Sequence, residues 1–282
     1  SIHLLPEVGK LRQQSSLRRA AINLRLPSVR VVEDAGAFEL VIEPRHPVMD
    51  YNSEISLLTG MVAGSMMVEA GVGFLRTLGP APRDAEADFR REARNLGYEV
   101  TGGIGEFLAG VDADTPAGMA VMREAQKLLR GSGYVDLREK QPEVHAGIGG
   151  YYSHVTAPLR RLVDRYATEV CLAICGGYGI PAWVYNDAPE VMATMARTSQ
   201  LANTVDRAAL NLTEATVLEP WVGHNFGGIV LKRGEDRDRI FVTQPPVLAP
   251  SIGAPSEGTE AMFSLIRAEP AARQVEFAWP AD

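Results

Sequence analysis

Three arginines, a histidine and an aspartate are concentrated in residues 152–165, which read Tyr-Ser-His-Val-Thr-Ala-Pro-Leu-Arg-Arg-Leu-Val-Asp-Arg. Thr156 can cap a helix, Pro158 suits the first helical position, and apolar residues then recur at helical spacing. Arg160 would therefore lie in the first turn, where backbone N–H groups and the positive helix end favour an anion. Because a guanidinium can bind two phosphate oxygens at once, the segment predicts a phosphate-binding site.

A simpler interpretation of the same residues remains open. Arg160 and Arg161 can be solvated surface charges, with Asp164 as a local ion-pair partner. Spacing alone favours this second interpretation, since amphipathic helices routinely carry such residues.

The segment also resembles the signature of the RNase II family (the RNB domain), which is close to His-x-Thr-Ser-Pro-Ile-Arg-Arg/Lys-Tyr-x-Asp. The matching positions are His154, Thr156, Pro158, Arg160 and Asp164, with Ala157 in place of the serine and Leu162 in place of the tyrosine. This block is the most specific part of a resemblance that extends along the whole chain.

Other segments resemble the family in the same order. Residues 42–45, Ile-Glu-Pro-Arg, and the segment after them are similar to the family's Glu-Pro-Arg and Glu-Glu-x-Met-x-Leu/Ile-Ala helix, with Glu54 in register with the second glutamate. Residues 75–80 resemble its Arg-x-His-x-x-Pro segment, with the histidine lost. Residues 201–207 resemble its Met-Ala-Glu-Arg segment, with Asp206 at the position of the glutamate.

Members of this family hydrolyse RNA from the 3′ end with a divalent metal, usually magnesium, held by an Asp-x-x-Asp-x-Asp-Asp cluster. No such run occurs here. Residues 111–116 and 235–239 carry alternating aspartates beside a proline or among arginines, and we predict both to be turns, since magnesium needs several converging carboxylates. The sequence also opens on Ser1. We therefore expect a C-terminal fragment or one piece of a cleaved polypeptide, with the Mg²⁺ ligands in a missing N-terminal segment.

The resemblance implies a 3′-to-5′ exoribonuclease that threads single-stranded RNA into a channel and releases nucleoside 5′-monophosphates. It implies that Arg160 braces the scissile phosphate, Asp206 contacts the terminal nucleotide and Glu54 faces the channel near a base. The implied partners are single-stranded RNA and the missing N-terminal part of the same enzyme.

Four further residues of these motifs are predicted to contact RNA, namely Tyr152, His154, Arg161 and Arg207. A structural role for Tyr152 and His154 is an equal alternative to stacking on the strand or donating to it. A different class of function also stays open: a non-catalytic RNA-binding or assembly protein derived from the same family. A helical enzyme domain unrelated to RNA would require the arginine motif to be coincidental.

Composition indicates a well-packed globular protein, with 282 residues of which 46% are hydrophobic and 22% charged. No apolar run is long enough to span a bilayer and no signal-peptide pattern is present, so we expect a cytoplasmic protein without a membrane partner. Cys171 and Cys175 have helical spacing and are predicted to share a buried face; a disulfide or a metal pair is the weaker interpretation.

The net charge of −7 argues against broad electrostatic capture of nucleic acid. Residues 1–46 nevertheless hold seven Lys and Arg against five Asp and Glu, which can provide local basicity along a strand path. Residues 213–282 hold six basic against ten acidic residues, which predicts weak phosphate binding there. Trp221, Phe226 and Phe241 can stack bases, although core positions are the more common role.

Periodicity predicts an α+β protein with two domains. Residues 1–212 are expected to form the C-terminal part of an RNB catalytic domain, and residues 213–282 a five-stranded barrel of the oligonucleotide-binding (OB) type that grips RNA. The predicted helices are residues 2–23, 52–78, 84–96, 117–129 and 189–218, besides the one after Pro158, and a strand pair is predicted at 26–32 and 37–42. The predicted barrel strands are residues 215–222, 228–232, 239–243, 261–267 and 274–279, with a loop over 245–258.

Overall fold

The computed structural model describes residues 2–26, 28–34, 36–43 and 46–281. A short 3₁₀ turn leads into α1 (Leu5–Arg18), which packs along α2 (Pro47–Ala70). Between the two helices, β1 (Ser28–Asp34) and β2 (Ala37–Glu43) form the predicted antiparallel hairpin.

Helix α2 has clear physical signals at both ends. The His46 side chain accepts a hydrogen bond from the Val48 N–H, and Pro47 occupies the first turn, where its missing N–H is harmless. The predicted Glu-Pro-Arg segment precedes this point, and its Pro44 and Arg45 lie outside the described residues.

The prediction of one helix over residues 52–78 is wrong at its C-terminal end. The chain leaves the helix at Gly71, whose φ of 68° is the left-handed conformation that favours glycine. The chain then forms β3 (Phe74–Thr77), which pairs antiparallel with β4 (Gly133–Asp136), a strand that the sequence did not predict. Strand β3 directly follows Gly73, and β4 begins at Gly133.

Three helices lie between β3 and β4. They are α3 (Arg83–Asn95), α4 (Ile104–Gly110) and α5 (Pro116–Ala125), the last continued by a 3₁₀ turn to Leu129. The helices predicted over 84–96 and 117–129 are confirmed, whereas α4 was not predicted. Thr115 caps α5 by accepting from the Gly118 N–H at 3.1 Å, and residues 111–114 form the predicted turn before it.

The two remaining helices are α6 (Leu162–Gly176) and α7 (Ala182–Leu218), which at 37 residues is the longest helix described. Their buried faces pack with Met67 and Phe74 in one apolar cluster. Of the two cysteines on α6, Cys171 is half-buried and Cys175 is exposed, so the predicted shared buried face is wrong for Cys175. No described helix is both long and apolar enough to cross a bilayer.

Five strands close the predicted barrel. They are β5 (Asn225–Lys232), β6 (Asp238–Thr243), β7 (Pro246–Ile252), β8 (Glu260–Glu269) and β9 (Gln274–Ala278). Their order in the barrel is β5-β6-β7-β9-β8, with β7 and β9 parallel and the other neighbours antiparallel. The α+β class and the C-terminal barrel are therefore as predicted.

Two details of the barrel correct the sequence prediction. Residues 215–222 are not a strand, because α7 continues to Leu218 and a 3₁₀ turn follows to Trp221. The strand that completes the barrel in their place is β7, which lies in the segment predicted as a loop. Its buried residues alternate with exposed ones over much of its length, but its prolines obscured that pattern in the sequence. The domain boundary predicted at residue 212 falls within α7.

Charged side chains join the barrel to the helices. Arg239 on β6 donates to both carboxylate oxygens of Glu124 on α5, at 2.6 and 2.7 Å. Lys127 contacts Glu124 and also donates to Glu92 on α3 at 3.0 Å. Burial raises the pKa of Glu92, and its hydrogen bond with Glu124 adds to that shift. The network ties the barrel to the helical part of the chain.

A glutamate near this junction predicts a pH dependence of stability. Burial raises the pKa of Glu214 on α7 from 4.5 to about 7, against the opposing effect of Arg123. The folded state thus holds this proton more tightly than the unfolded chain, so stability falls as pH rises from about 4.5 to about 7. Glu214→Gln should remove this loss of stability, which is worth at most about 3 kcal/mol at pH 8. Urea unfolding measured from pH 5 to pH 8 tests this expectation.

The matched control for this prediction is Glu219→Gln, which changes an exposed glutamate just beyond the end of the same helix. We expect this variant to keep the pH dependence of the parent protein. Equal pH dependence in the parent and the Glu214→Gln protein would contradict the prediction.

Candidate functional site

The motif residues of the arginine segment lie in an irregular loop that runs into α6. Helix α6 begins at Leu162, with Arg161 as its N-cap, so the predicted helix start at Thr156 and Pro158 is wrong. Residues 158–160 form a turn in which the Arg160 N–H donates to the Ala157 carbonyl oxygen at 3.2 Å. Thr156 does not cap; its hydroxyl lies 3.2 Å from the Ser56 hydroxyl on α2.

Asp164 explains why the helix starts late. Its fully buried carboxylate accepts from the Ala157 N–H at 2.7 Å and from Arg161 Nε and Nη2 at 2.9 and 2.8 Å. These bonds hold residues 157–161 in a turn instead of a helix. The local ion pair considered from the sequence is therefore present between Arg161 and Asp164.

The two adjacent arginines consequently have different environments. The Arg161 side chain is 17% exposed, and its guanidinium forms a fork with Asp164, which makes it part of the loop's own structure. Arg160 is exposed, as is Leu159 beside it. Arg160 thus lies before the helix instead of in its first turn, and its side chain is accessible from solvent.

Tyr152 is a buried residue, 8% exposed, in contact with α2. A side chain at Gly60 of α2 would overlap its ring, so this glycine permits the close approach. The ring of Tyr152 meets those of His154 and His145 edge-on, at centroid distances of 5.5 and 6.0 Å. Its burial fits the structural alternative for Tyr152 better than base stacking.

His154 is held by Tyr134 on β4, whose hydroxyl lies 2.8 Å from its Nδ1. Burial, followed by the positive charges of Arg161 and Arg76, lowers the pKa of His154 to about 4. Burial also raises the pKa of Tyr134. At neutral pH both groups are therefore uncharged, and the imidazole retains one N–H and one acceptor nitrogen.

His154 and Glu54 line the same cavity, which we call the Arg76 pocket. It has a volume of about 300 Å³. Its polar lining comprises Ser16, Arg19, Asn23, Glu54, Arg76, Ser132, His145 and His154, and leucines and isoleucines form most of the remainder. The structure thus brings together two residues that lie 100 positions apart in the sequence.

Glu54 and Arg19 form one side of this pocket. Glu54 is 2% exposed, and both of its carboxylate oxygens accept from the Ser16 hydroxyl, at 3.0 and 3.2 Å. Arg19 donates to the Ile148 carbonyl oxygen and to Ser16 Oγ, both at 3.2 Å. Glu54 was predicted to face the RNA channel. In the structure its carboxylate already accepts a hydrogen bond from Ser16 on α1.

Arg76 on β3 and His145 were missed by the sequence reasoning. The Arg76 guanidinium lies 4.7 Å from the centroid of the Tyr134 ring and donates to Ser132 Oγ. His145 forms a β-bridge with Leu78. Leu78 occupies the position of the histidine in the family's Arg-x-His-x-x-Pro segment. Arg76 belongs to residues 75–80, and their resemblance to this family segment is the signal that could have identified it.

Asp206 and Arg207 lie elsewhere, on an exposed stretch of α7. Neither belongs to the lining of the Arg76 pocket, so the structure does not bring them together with Glu54 and His154. Their predicted contacts with RNA remain predictions.

The described residues do not fit a magnesium ion. Among residues 2–26, 28–34, 36–43 and 46–281, no group of three or more His, Cys, Asp or Glu side chains is arranged to hold a metal. Mg²⁺ in proteins needs converging oxygen ligands, and the described part of this chain does not provide them.

Residues 224–279 match the family model of the RNase II-type exonuclease C-terminal S1 domain. The barrel is therefore similar to an RNase II-type S1 domain, and we call it the S1 domain below. The S1 domain thus comprises all five strands, β5 to β9, and the resemblance predicted from the motifs is confirmed.

The helical part and the S1 domain together resemble solved structures. The apo form of Mycoplasma genitalium RNase R has a TM-score of 0.84 at 12% identity, and the match covers 99% of this chain and 49% of that chain. The same RNase R with ribose-methylated single-stranded RNA has a TM-score of 0.83, at the same identity and coverage. This chain therefore shares the RNase R fold and spans about half of its length.

Yeast Ssd1, described as a pseudonuclease, has a TM-score of 0.63 at 14% identity, and the match covers 93% of this chain and 34% of that chain. No curated protein matched the sequence.

Proposed function

We propose that this chain is the RNA-positioning part of an RNase II-type 3′-to-5′ exoribonuclease, which acts on single-stranded RNA in the cytoplasm and releases nucleoside 5′-monophosphates. The observation that carries this proposal is the likeness of 99% of the chain to RNase R, including the structure of that protein with single-stranded RNA. The RNase II-type S1 match supports it independently.

Within this proposal, the chain's own residues bind and orient the strand. Arg160, exposed at the loop before α6, is available to a phosphate without first breaking an ion pair within the described residues. Asp206 would contact the terminal nucleotide, with Arg207 beside it on α7. The metal-dependent attack would require magnesium ligands that the described residues do not provide.

The S1 domain supports RNA binding more than its net charge suggested. Arg237, Arg267 and Arg273 line a cleft of about 410 Å³ beside β7. Arg237 lies between the first two barrel strands and Arg273 between the last two, at the loops that OB-type barrels use for oligonucleotides. Glu276 pairs with Arg237 and Glu269 with Arg267, which moderates the cleft's positive charge.

The test is to assay the purified chain for binding and cleavage separately. We expect it to bind single-stranded RNA in fluorescence anisotropy but to release no mononucleotides with Mg²⁺, because no described group of residues can hold the metal. Binding should weaken as salt rises, since it depends on phosphate contacts. Robust magnesium-dependent release of mononucleotides, or no RNA binding at low salt, would overturn the proposal.

A non-catalytic RNA-binding or assembly protein is the second candidate, and the likeness to the pseudonuclease Ssd1 favours it. Adding the N-terminal portion that the proposed exoribonuclease requires to the same assay separates the two candidates. Metal-dependent cleavage in the combined sample supports the exoribonuclease, and RNA binding without cleavage supports the non-catalytic protein.

A further inference from the structure

We propose that the Arg76 pocket binds a nucleoside 5′-monophosphate, with Arg76 as the main contact to its phosphate. The inference rests on the proposed function, since such a nucleotide would be the product of the reaction. It adds a binding site whose principal cation, Arg76, was not among the residues predicted from the sequence.

The size and lining of the pocket suit a mononucleotide. Its volume of about 300 Å³ lies at the lower end of the range for small-molecule sites, about 300 to 1,000 Å³. Leu57, Leu78 and Leu129 supply apolar wall for a base, while Glu54 and Ser16 supply polar groups. A pocket with apolar walls and a few converging polar groups is the usual form of such a site.

The positive charge of Arg76 is not neutralised by an ion pair within the described part of the chain. Its contacts there are the hydroxyl of Ser132 and the face of the Tyr134 ring, which do not carry a formal charge. Burial is the largest cause of the lowered pKa of His145 and of His154. The positive charge of Arg76 contributes to the lowering at both histidines. An anion bound by Arg76 would offset the effect of this positive charge on both histidines.

His145 adds a second observation. Its Nδ1 is buried and has no hydrogen-bond partner within the described residues. Buried polar atoms are seldom left without a partner, and His145 is one of the residues that line the pocket. A phosphate bound by Arg76 would offer oxygens to both histidines and would favour their protonated forms.

The experiment is calorimetric titration of the full 282-residue chain with adenosine 5′-monophosphate, adenosine and inorganic phosphate. We expect the monophosphate to bind more tightly than either of the other two, because only it engages the guanidinium and the apolar wall together. Arg76→Gln should weaken monophosphate binding about 10-fold or more, as expected for loss of charge-assisted hydrogen bonds. Arg83→Gln, which changes an exposed arginine at the start of α3, should bind like the parent protein.

A second variant guards against misfolding. Leu57→Phe should narrow the pocket without changing its charge and should also weaken binding, while thermal unfolding checks that both variants remain folded. In NMR spectra, the monophosphate should move the signals of His145 and His154 toward the imidazolium form, and adenosine should not.

Parent-like monophosphate binding in folded Arg76→Gln protein would overturn the proposal, as would no binding at millimolar concentration. Parallel RNA-binding assays distinguish this failure from failure of the proposed function. A chain that binds RNA but not the monophosphate contradicts only the pocket, and one that binds the monophosphate but not RNA contradicts only the wider function.

Discussion

Arg160→Ala is expected to lower the single-turnover rate of RNA cleavage about 100- to 1,000-fold in the complete, metal-binding enzyme of which we propose this chain to be a part. The dissociation constant for single-stranded RNA should change little. The physical reason is that affinity is spread over many backbone contacts, whereas one guanidinium at the scissile phosphate acts where charge develops. Rapid-quench cleavage and equilibrium anisotropy measure the two quantities separately.

Two comparisons sharpen the Arg160 experiment. Arg160→Lys should restore little of the rate, because a point charge does not reproduce the two-pronged contact of a guanidinium. Arg165→Ala removes another exposed arginine one turn further along and should cleave like the parent enzyme. Cleavage by the Arg160→Ala enzyme at the parental rate would show that Arg160 is only a solvated surface charge. A defect confined to RNA binding or to folding would contradict the prediction in the same way.

Asp164→Ala is expected to destabilise the chain by about 3 to 5 kcal/mol, the range for breaking a buried ion pair. The change leaves the largely buried Arg161 guanidinium without its carboxylate and the Ala157 N–H without its acceptor. Urea unfolding at neutral pH should show the loss as a lower midpoint. The turn that carries Arg160 should loosen as well, so RNA cleavage by the complete enzyme should fall even where the protein is still folded.

Asp88→Ala provides a matched control for Asp164→Ala. Asp88 and Arg91 on α3 form another aspartate–arginine pair three residues apart, but both side chains are more than half exposed. Solvent screens such a pair, so its loss should change stability by less than about 1 kcal/mol. Equal effects of the two substitutions would show that the Asp164 carboxylate does not stabilise the loop before α6.

Elements that bury one face of a regular pattern were predictable from the sequence. Helices α3 and α5 follow from apolar residues at helical spacing, and four of the five barrel strands follow from short apolar segments between turns. The family resemblance was also recognisable from the motifs and their order, because a motif is defined by residue types along the chain and not by their contacts. The missing aspartate cluster was likewise evident without coordinates.

The tertiary structure alone decided the elements whose partners lie far away in the chain. Strands β3 and β4 are four residues each and stabilise one another across three intervening helices, so neither has a strong local signal. Strand β7 contains prolines that predict a loop, yet pairing with β6 and β9 places it in the barrel. Distant pairing outweighed local propensity in both cases.

The candidate site shows the same division. The sequence contained the arginines, the histidine and the aspartate of residues 152–165, and it left open whether they bind an anion or one another. The buried Asp164 carboxylate decided this by binding Arg161 and leaving Arg160 exposed outside the helix. The Arg76 pocket could not be predicted, because α1, α2, β3 and the loops around Ser132 and His145 form it only after packing. Local spacing records which groups are present, whereas their charge environment depends on burial and on neighbours that folding brings together.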